Sequence, residues 1–296
     1  MTEQPELGIV IVNFNTREDL RNCLSSIYGS KQNTQFEVWV VDNNSTDYSS
    51  EMIQRDFPLV KLIRNNQNTG FARGNNLAIS RMKNPFVLLL NPDTIVNEHA
   101  FDKTIEFLKA DDRAGMVTCK LVKADGTLDL ACRRSFPSAF DGFCRATGLS
   151  KLFPYSKLFA RYNLTYLDEN EVNEVDAVNG AFMMVKREAI EVVGLLDEDY
   201  FMYMEDLDWC FRFKKNGWKT YYVPDSRVVH LKGNSGKKSS ERMIREFFKS
   251  MKIFCQKNYL PHQSLVQYWF TVAGIKGWEQ LTLLRNSMRP EKRVTP

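Results

Sequence analysis

The sequence lacks several patterns that identify large classes of protein. Its six cysteines include no CxxC pair, so neither a zinc site nor a thioredoxin-like redox motif is indicated. The N-terminal residues MTEQPELG have neither the basic start nor the apolar core of a signal peptide. No apolar run approaches the roughly 18 residues that are needed to span a bilayer. We therefore expect a cytoplasmic protein whose cysteines are reduced and buried.

Two phosphate-binding signatures are also missing. No GxGxxG turn follows the first predicted strand, and no GxxxxGK[ST] loop occurs in the chain. The formal net charge of +4 is too small to indicate a nucleic-acid partner. If the ligand carries phosphates, a group other than a glycine-rich turn must neutralise their charge, and a divalent cation is the natural candidate.

The chain does contain a regular alternation of strand and helix patterns. Apolar runs of strand length cover residues 7–12, 36–41, 60–63 and 86–90, with helical segments between them. This alternation predicts an α/β fold with a mostly parallel sheet flanked by helices. Amphipathic spacing from Ser240 onward predicts a helical C-terminal tail.

Asparagine and aspartate follow all four of these strands. The residues at the four ends are Asn13 and Asn15, Asp42 and Asn43, Asn65 and Asn66, and Asn91 and Asp93. Because ligands bind outside the carboxyl ends of strands in open parallel sheets, the four ends together predict a binding site. Any one of them, taken alone, could simply be a turn.

The stretch FVLLLNPDTIV at residues 86–96 places a carboxylate at the end of a buried strand. Mg²⁺ and Mn²⁺ prefer oxygen ligands, and Mg²⁺ often takes only one or two protein carboxylates beside the phosphates of a substrate. Asp93 is therefore a candidate metal ligand. The alternative, that Asn91-Pro92-Asp93 is only a turn, stays open at this point.

Two further segments are candidates for parts of the site. Residues 131–174 mix aromatic and basic side chains around several breaks, which predicts a mobile or partly helical excursion near the active site, on the acceptor side. A helix is predicted from Glu205 to Lys215, and its first turn contains Glu205, Asp206 and Asp208. The helix dipole favours ionised carboxylates there, so these acids are either caps or candidates for a general base.

Six segments, in this order, resemble the family 2 inverting glycosyltransferases of GT-A fold, in particular the bacterial branch that includes rhamnosyltransferases of O-antigen and cell-wall polysaccharide assembly. The resemblance extends from about residue 8 to 236. The segments are IVIVNFN, VVDNNSTD, NTGFARGNN, LLLNPDT, VNGAFMMVKREAIEVVGLLDEDYFMYMEDLDWCFR and HLKGNSGKK. The resemblance implies a GT-A (Rossmann-like) catalytic domain over residues 1–238, and the amphipathic spacing of the tail predicts a helical C-terminal segment over 239–296.

The resemblance also implies roles for individual residues. Asp206 would be the catalytic base, supported by Glu205, and Asp93 and His230 would hold Mg²⁺ or Mn²⁺. The nucleotide-sugar-binding residues would be Asn13, Asn15, Asp42, Asn44, Arg73, Asn91, Asn179, Gly180 and Lys238. Asn91 departs from the DxD motif of the family, and an amide is a poorer metal ligand than a carboxylate, so weaker metal binding is expected. A purely structural His230 and a merely solvated loop at Lys238 are the alternatives.

The implied activity is inverting transfer of a sugar from a nucleoside diphosphate sugar to a glycan or a polyprenyl-diphosphate-linked saccharide. L-Rhamnose from dTDP-L-rhamnose is the expected donor sugar, with galactofuranose, glucose and N-acetylhexosamine as alternatives. A catalytically degraded nucleotide-sugar-binding scaffold is the non-enzymatic alternative. The apolar, aromatic segment at residues 265–278 could lie peripherally on a membrane, pack on the catalytic domain or form a homodimer contact.

Overall fold

A computed structural model of the protein describes residues 4–231, 240–262 and 264–288. Within these residues a single nine-stranded sheet is flanked by ten α-helices. The strands are β1 (Leu7–Asn13), β2 (Phe36–Asp42), β3 (Lys61–Arg64), β4 (Phe86–Leu90), β5 (Thr94–Val96), β6 (Ala114–Val122), β7 (Asn173–Val175), β8 (Phe182–Lys186) and β9 (Lys219–His230). The helices are α1 (Arg17–Gly29), α2 (Ser49–Asp56), α3 (Gly70–Ile79), α4 (Ala100–Ala110), α5 (Ala139–Thr147), α6 (Leu149–Leu152), α7 (Arg187–Val193), α8 (Glu205–Lys215), α9 (Ser240–Phe254) and α10 (Leu265–Ser287).

The sheet has a parallel half and a mixed half. Its strand order is β3-β2-β1-β4-β8-β6-β9-β5, and β7 pairs with β9 outside this path. Strands β1 to β4 pair in parallel, as the alternating pattern predicts. Beyond β4, strand β8 is antiparallel to both β4 and β6, whereas β6 and β9 are parallel. The α/β fold class is confirmed, with more antiparallel pairing than a doubly wound sheet would have.

The core lies on both faces of the central strands. Every residue of β4 and of β8 is buried, because helices cover the sheet on both sides. This explains why these strands consist of continuous apolar runs instead of alternating apolar and polar residues. All six cysteines are buried, as expected for core thiols, and none of them forms a disulfide in the structure. That they are reduced stays a prediction.

The excursion at residues 131–174 is partly helical, as expected. It contains α5, which begins with a capping box between Ser138 and Asp141, and the short helix α6. The buried guanidinium of Arg133 donates to the carbonyls of Leu167 and Asp168 and thereby ties the two ends of the excursion together. Whether the segment moves stays a prediction.

Helices α9 and α10 pack against each other through a small cluster of their own that includes Ile244, Phe248 and Ile275. Phe254 at the end of α9 belongs to the main core, so the tail is attached to the part of the chain that contains the sheet. The boundary between 238 and 239 lies outside the described residues. No helix in the described part of the chain is both long and apolar enough to cross a membrane.

Candidate active site

A cavity of about 530 Å³ opens at the carboxyl edge of the parallel strands. The ends of β1 and β4 and the start of α8 border it, together with one residue of α5, three residues of α9 and a turn before β8. Its polar lining residues are Thr16, Asn43, Asn68, Asn91, Asp93, Arg134, Arg145, Tyr162, Asn179, Tyr203, Glu205, Asp206 and Arg242. The cavity therefore brings together three of the predicted groups: the end of β4, the turn at Asn179 and the acids of α8.

The ends of β1 and β2 are joined by a buried hydrogen-bond network. The Asn13 amide donates to Asp42 at 2.8 Å and to the Ser45 hydroxyl at 3.0 Å. Asp42 also accepts from the Ser50 hydroxyl at 3.0 Å, and its side chain is almost fully buried. This network fixes the end of the sheet next to the cavity, but neither Asn13 nor Asp42 lines the cavity itself.

Asn43 lines the cavity, whereas the sequence analysis predicted a binding role for its neighbour Asp42. Its amide donates to the Gly70 carbonyl at 3.0 Å. Gly70 has a φ of +83°, and a Cβ atom there would come within 2.2 Å of the Phe201 carbonyl oxygen. Only glycine fits this position, so the first glycine of NTGFARGNN allows α3 to begin directly against the 201–204 segment.

The other expected nucleotide-sugar residues are spread around this edge. Asn15 accepts a hydrogen bond from the Thr46 amide, whereas Asn44 is exposed with a φ of +65°. Arg73 pairs with Glu198 at 3.3 Å. None of Asn15, Asn44 and Arg73 lines the cavity, and Lys238 lies outside the described residues. Their binding roles stay predictions.

Asp93 and His230 are neighbours, as the resemblance implies, although 137 positions separate them in the chain. Strand β5 pairs with β9 so that Thr94 lies opposite His230, and Asp93 Oδ1 is 3.3 Å from His230 Nε2. On its other side, His230 Nδ1 is 3.0 Å from Asp129 Oδ2. Burial opposes protonation of the imidazole, but the hydrogen bonds to Asp129 and Asp93 outweigh it and raise the pKa of His230 to about 9.

Asp93 and His230 fit a divalent cation in two respects. A histidine that binds a metal through one ring nitrogen commonly donates the other N–H to a carboxylate, which is the relation between His230 and Asp129. The 3.3 Å between Asp93 Oδ1 and His230 Nε2 is close to the roughly 3 Å that separates adjacent ligands of one octahedral Mg²⁺. Within the described ranges, no group of three or more acidic, histidine or cysteine side chains could enclose a cation without help. Phosphate oxygens of a ligand would have to complete such a site.

Asp206 is held by an arginine that the sequence analysis did not single out. One Oδ atom of Asp206 accepts from Arg134 at 2.5 Å, and the other accepts from the Leu207 backbone amide at 2.8 Å. The guanidinium also donates to the Val178 carbonyl. Burial alone would lower the pKa of Arg134, but the Asp206 carboxylate outweighs this and raises it. Asp206 is therefore an oriented, charge-compensated carboxylate that faces the cavity.

Glu205 has a different environment from that of its neighbour. Its side chain is buried, and Oε2 has no hydrogen-bond partner. Burial, followed by repulsion from Asp206, raises the pKa of Glu205 to about 8. Asp206 therefore has a positively charged partner, whereas the adjacent Glu205 is buried without one, because only Asp206 pairs with Arg134.

The turn before β8 completes the cavity on the side of the expected sugar pocket. The Asn91 backbone amide donates to the Ala181 carbonyl at 3.2 Å, which joins the end of β4 to this turn. A Cβ atom at Gly180 would lie 2.7 Å from the Phe71 ring. Glycine is needed here so that the turn can approach α3, and both Gly180 and Asn179 line the cavity.

Comparison with known proteins supports one interpretation of this geometry. The sequence profile of the family described as "Glycosyltransferase like family 2" matches residues 5–249. An N-acetylglucosaminyl-diphospho-decaprenol L-rhamnosyltransferase of Mycobacterium tuberculosis is 26% identical over 298 residues, which cover 97% of this chain and 95% of that protein. Rhamnosyltransferase WbbL of Escherichia coli is 26% identical over 61% of this chain and 68% of its own length.

Solved structures agree with the fold. The mannosyltransferase PcManGT of Pyrobaculum calidifontis, in complex with GDP-Man and Mn²⁺, has a TM-score of 0.59 at 17% identity and covers 95% of this chain and 71% of its own. TarS 1–349 of S. aureus, in complex with UDP, has a TM-score of 0.57 at 14% identity and covers 92% and 70%. The chain therefore belongs to the family 2 glycosyltransferases, and it is a glycosyltransferase with a GT-A fold.

Proposed function

We propose that the protein transfers L-rhamnose from dTDP-L-rhamnose to a saccharide linked to a polyprenyl diphosphate, with inversion at the anomeric carbon. The observation that carries this proposal is the single cavity lined by both Asp93 and Asp206. In this proposal Asp93 would serve the diphosphate of the donor, and Asp206 would serve the hydroxyl group of the acceptor.

In the proposed reaction, Asp206 accepts the proton of the acceptor hydroxyl as its oxygen attacks the anomeric carbon. The bond from that carbon to the diphosphate oxygen breaks on the opposite face, and the nucleoside diphosphate leaves. A single displacement inverts the configuration without a covalent sugar–enzyme intermediate. The ion pair with Arg134 orients the Asp206 carboxylate before the substrate arrives. General base catalysis of this kind contributes about 10²- to 10⁴-fold to the rate.

Asp93 and His230 would hold a Mg²⁺ or Mn²⁺ ion in this proposal. When bound, the cation would neutralise charge on the leaving diphosphate. Asn91 supplies an amide where the family has an acid, so the substrate's own phosphate oxygens would provide a large share of the ligands. Asn179 and Gly180 would line the sugar subsite, and Glu205 would support Asp206 or contact the acceptor.

The identities of the sugar and the acceptor rest on the relatives. The two curated relatives cited above are both named rhamnosyltransferases, and the name of the mycobacterial one includes a diphospho-decaprenol acceptor. We further propose that the protein works peripherally at the inner face of the cell membrane, where a polyprenyl-linked acceptor would lie, with residues 1–238 as the catalytic domain and 239–296 as the helical segment nearest to the lipid.

The proposal is tested by thermal unfolding with a panel of nucleotide sugars, with and without Mn²⁺. We expect dTDP-L-rhamnose with Mn²⁺ to give the largest stabilisation, of a few kcal/mol at saturating ligand. Asp93→Asn should remove the dependence on Mn²⁺, whereas Asp125→Asn, an exposed turn residue, should not. Stabilisation by a different nucleotide sugar would redirect the donor assignment, and binding without any transfer of sugar would contradict the activity.

A further inference from the structure

A second cavity, of about 950 Å³, lies between α5, α8, α9 and α10. Its lining is mainly apolar and aromatic. Prominent lining residues are Phe136, Phe143, Met251, Phe254, Phe270 and Trp278. Two of them, Phe143 and Phe270, are more than half exposed, so the apolar lining continues outward to the protein surface. Cavities of this volume and composition are typical of sites for apolar small molecules.

The second cavity adjoins the active-site cavity. Met204 lines both of them, and it directly precedes the acids of α8. Helix α5 contributes Arg145 to the active-site cavity and Phe143 to the second one. Helix α9 divides its side chains in the same way, with Arg242 in the first cavity and Met251 in the second. A single ligand could therefore lie in both cavities.

The charges differ between the two cavities. In the second cavity, Arg161 pairs with Asp141 and Lys214 pairs with Asp176, so its charged groups are already neutralised. In the active-site cavity, the described carboxylates form no ion pair with Arg145 or Arg242. The two guanidinium groups instead stack on Tyr162 at 5.1 Å and on Phe201 at 5.4 Å.

We propose that the second cavity binds the prenyl chain of the acceptor and that Arg145 and Arg242 bind its diphosphate. This inference rests on the proposed function, because it assigns a place to the lipid part of the acceptor. Arginine suits the diphosphate because its guanidinium forms paired hydrogen bonds with phosphate oxygens. The prenyl units nearest the diphosphate fill the neutral, apolar cavity, and the remainder of the chain leaves past Phe143 and Phe270 towards the membrane.

The test uses farnesyl diphosphate, a short prenyl diphosphate, and measures its dissociation constant by calorimetry with the full chain. Gly274 and Gly277 both lie in α10, and a Cβ atom at either position meets no atom within 4 Å. Only Gly274 lines the second cavity. We expect the ring in Gly274→Phe to occupy part of the cavity and weaken farnesyl diphosphate binding by at least tenfold, whereas Gly277→Phe should leave it unchanged.

The diphosphate subsite is tested by comparing farnesyl diphosphate with farnesol, which lacks the diphosphate group. Arg242→Ala should weaken binding of farnesyl diphosphate by at least fivefold and leave binding of farnesol unchanged. Arg245→Ala is the matched control, because Arg245 also lies in α9 but pairs with Glu241 outside both cavities. Equal affinity for farnesol and farnesyl diphosphate, or equal effects of Gly274→Phe and Gly277→Phe, would overturn the proposal.

Binding of dTDP separates this proposal from the proposed function. If Gly274→Phe binds dTDP normally and still binds farnesyl diphosphate as the wild type does, only the prenyl site is wrong. If the wild type binds farnesyl diphosphate in the predicted manner but transfers no sugar, the prenyl site stands and the proposed activity fails.

Discussion

At the scale of single residues, Arg134 determines how two adjacent carboxyl groups behave. It pairs with Asp206 and not with Glu205, so one acid is a charge-compensated carboxylate and the other is a buried acid with a pKa of about 8. The first turn of α8 would stabilise carboxylates at either position. The partner from residue 134, and not the helix itself, makes Asp206 the better candidate for the base.

Replacing Asp206 tests this assignment. Asp206→Asn keeps the shape of the side chain but cannot accept a proton from the acceptor, so we expect transfer to fall by roughly 10²- to 10⁴-fold. Donor binding, measured by calorimetry, should remain close to that of the wild type. The exposed Asp199→Asn serves as the control. Retention of more than about a tenth of the wild-type rate in Asp206→Asn would rule out the base.

Removal of Arg134 should lower stability. Arg134→Leu leaves Asp206 buried without its counter-charge and next to Glu205, which is expected to cost roughly 3–5 kcal/mol in the free energy of unfolding. Arg145→Leu removes a cavity arginine that has no carboxylate partner among the described side chains, and it should cost much less. The measurement is urea denaturation of both variants, and equal losses would contradict a stabilising ion pair.

Glu205 should make stability depend on pH. Its folded-state pKa of about 8 exceeds its ordinary value of 4.5, so the folded protein holds this proton more tightly than the unfolded chain does. The stability that comes from the neutral acid is therefore lost as pH rises from about 4.5 to about 8. Glu205→Gln should match the wild type near pH 4.5 and exceed it by at least about 1 kcal/mol at pH 8. Thermal unfolding across this range measures the difference, and the exposed Glu188→Gln should show none.

At the scale of elements, close approach of backbone segments shapes the cavity. Helix α3 begins at Gly70 against the carbonyl of Phe201, and the Gly180 turn lies against the Phe71 ring. The first contact brings the segment before α8 close to the start of α3, and the second brings the turn before β8 close to the same helix. Gly70 therefore allows the segment that leads into the acids of α8 to lie beside the cavity.

Alanine variants of two glycines distinguish the effect of the close contact at Gly70 from the effect of backbone strain. Gly70 and Gly126 have nearly the same φ, +83° and +81°, but only a Cβ atom at Gly70 would meet another atom. Both Gly→Ala changes incur the cost of a left-handed backbone, of order 1 kcal/mol. Gly70→Ala should lose at least about 2 kcal/mol more, because the neighbouring backbone must move. Denaturant unfolding measures both, and equal losses would contradict the close contact.

At the scale of the whole molecule, helix α10 has one packed face and one exposed face. The packed face contacts α9 through Ile275 and Trp278. The exposed face begins with Leu265, Val266 and Trp269, each more than 60% exposed. Packing on the rest of the chain therefore accounts for only part of the apolar tail, and a peripheral membrane contact would account for the exposed face.

Liposome flotation tests the membrane contact. Leu265→Ser combined with Trp269→Ser removes apolar surface without touching the α9 contact, and it should move the protein from the floating fraction to the soluble fraction. Leu59→Ser, at another exposed apolar residue far from the tail in the chain, is the control. If the wild type and the double variant float equally, the start of α10 does not bind membranes.

The sequence by itself determined the parts of this protein that depend on local pattern. The run from Phe86 to Leu90 predicted β4 at its observed bounds, and the spacing from Glu205 to Lys215 predicted α8. Hydrophobic periodicity and turn residues depend on a few neighbouring positions, so a single sequence is enough to predict the strands and helices that they specify. The four polar strand ends also predicted the edge of the sheet at which the cavity opens.

Only the tertiary structure decided which side chains face each other. Asp206 and Arg134 are 72 positions apart, and His230 and Asp129 are 101 positions apart. The second cavity arises between helices that meet only after the chain has folded. Pairing and cavity formation depend on how distant elements pack, and the periodicity of any one segment carries no information about its partner. The sequence therefore predicted several of the side chains that line the cavity, such as Asp93 and Asp206, whereas the fold determined their partners, orientation and accessibility.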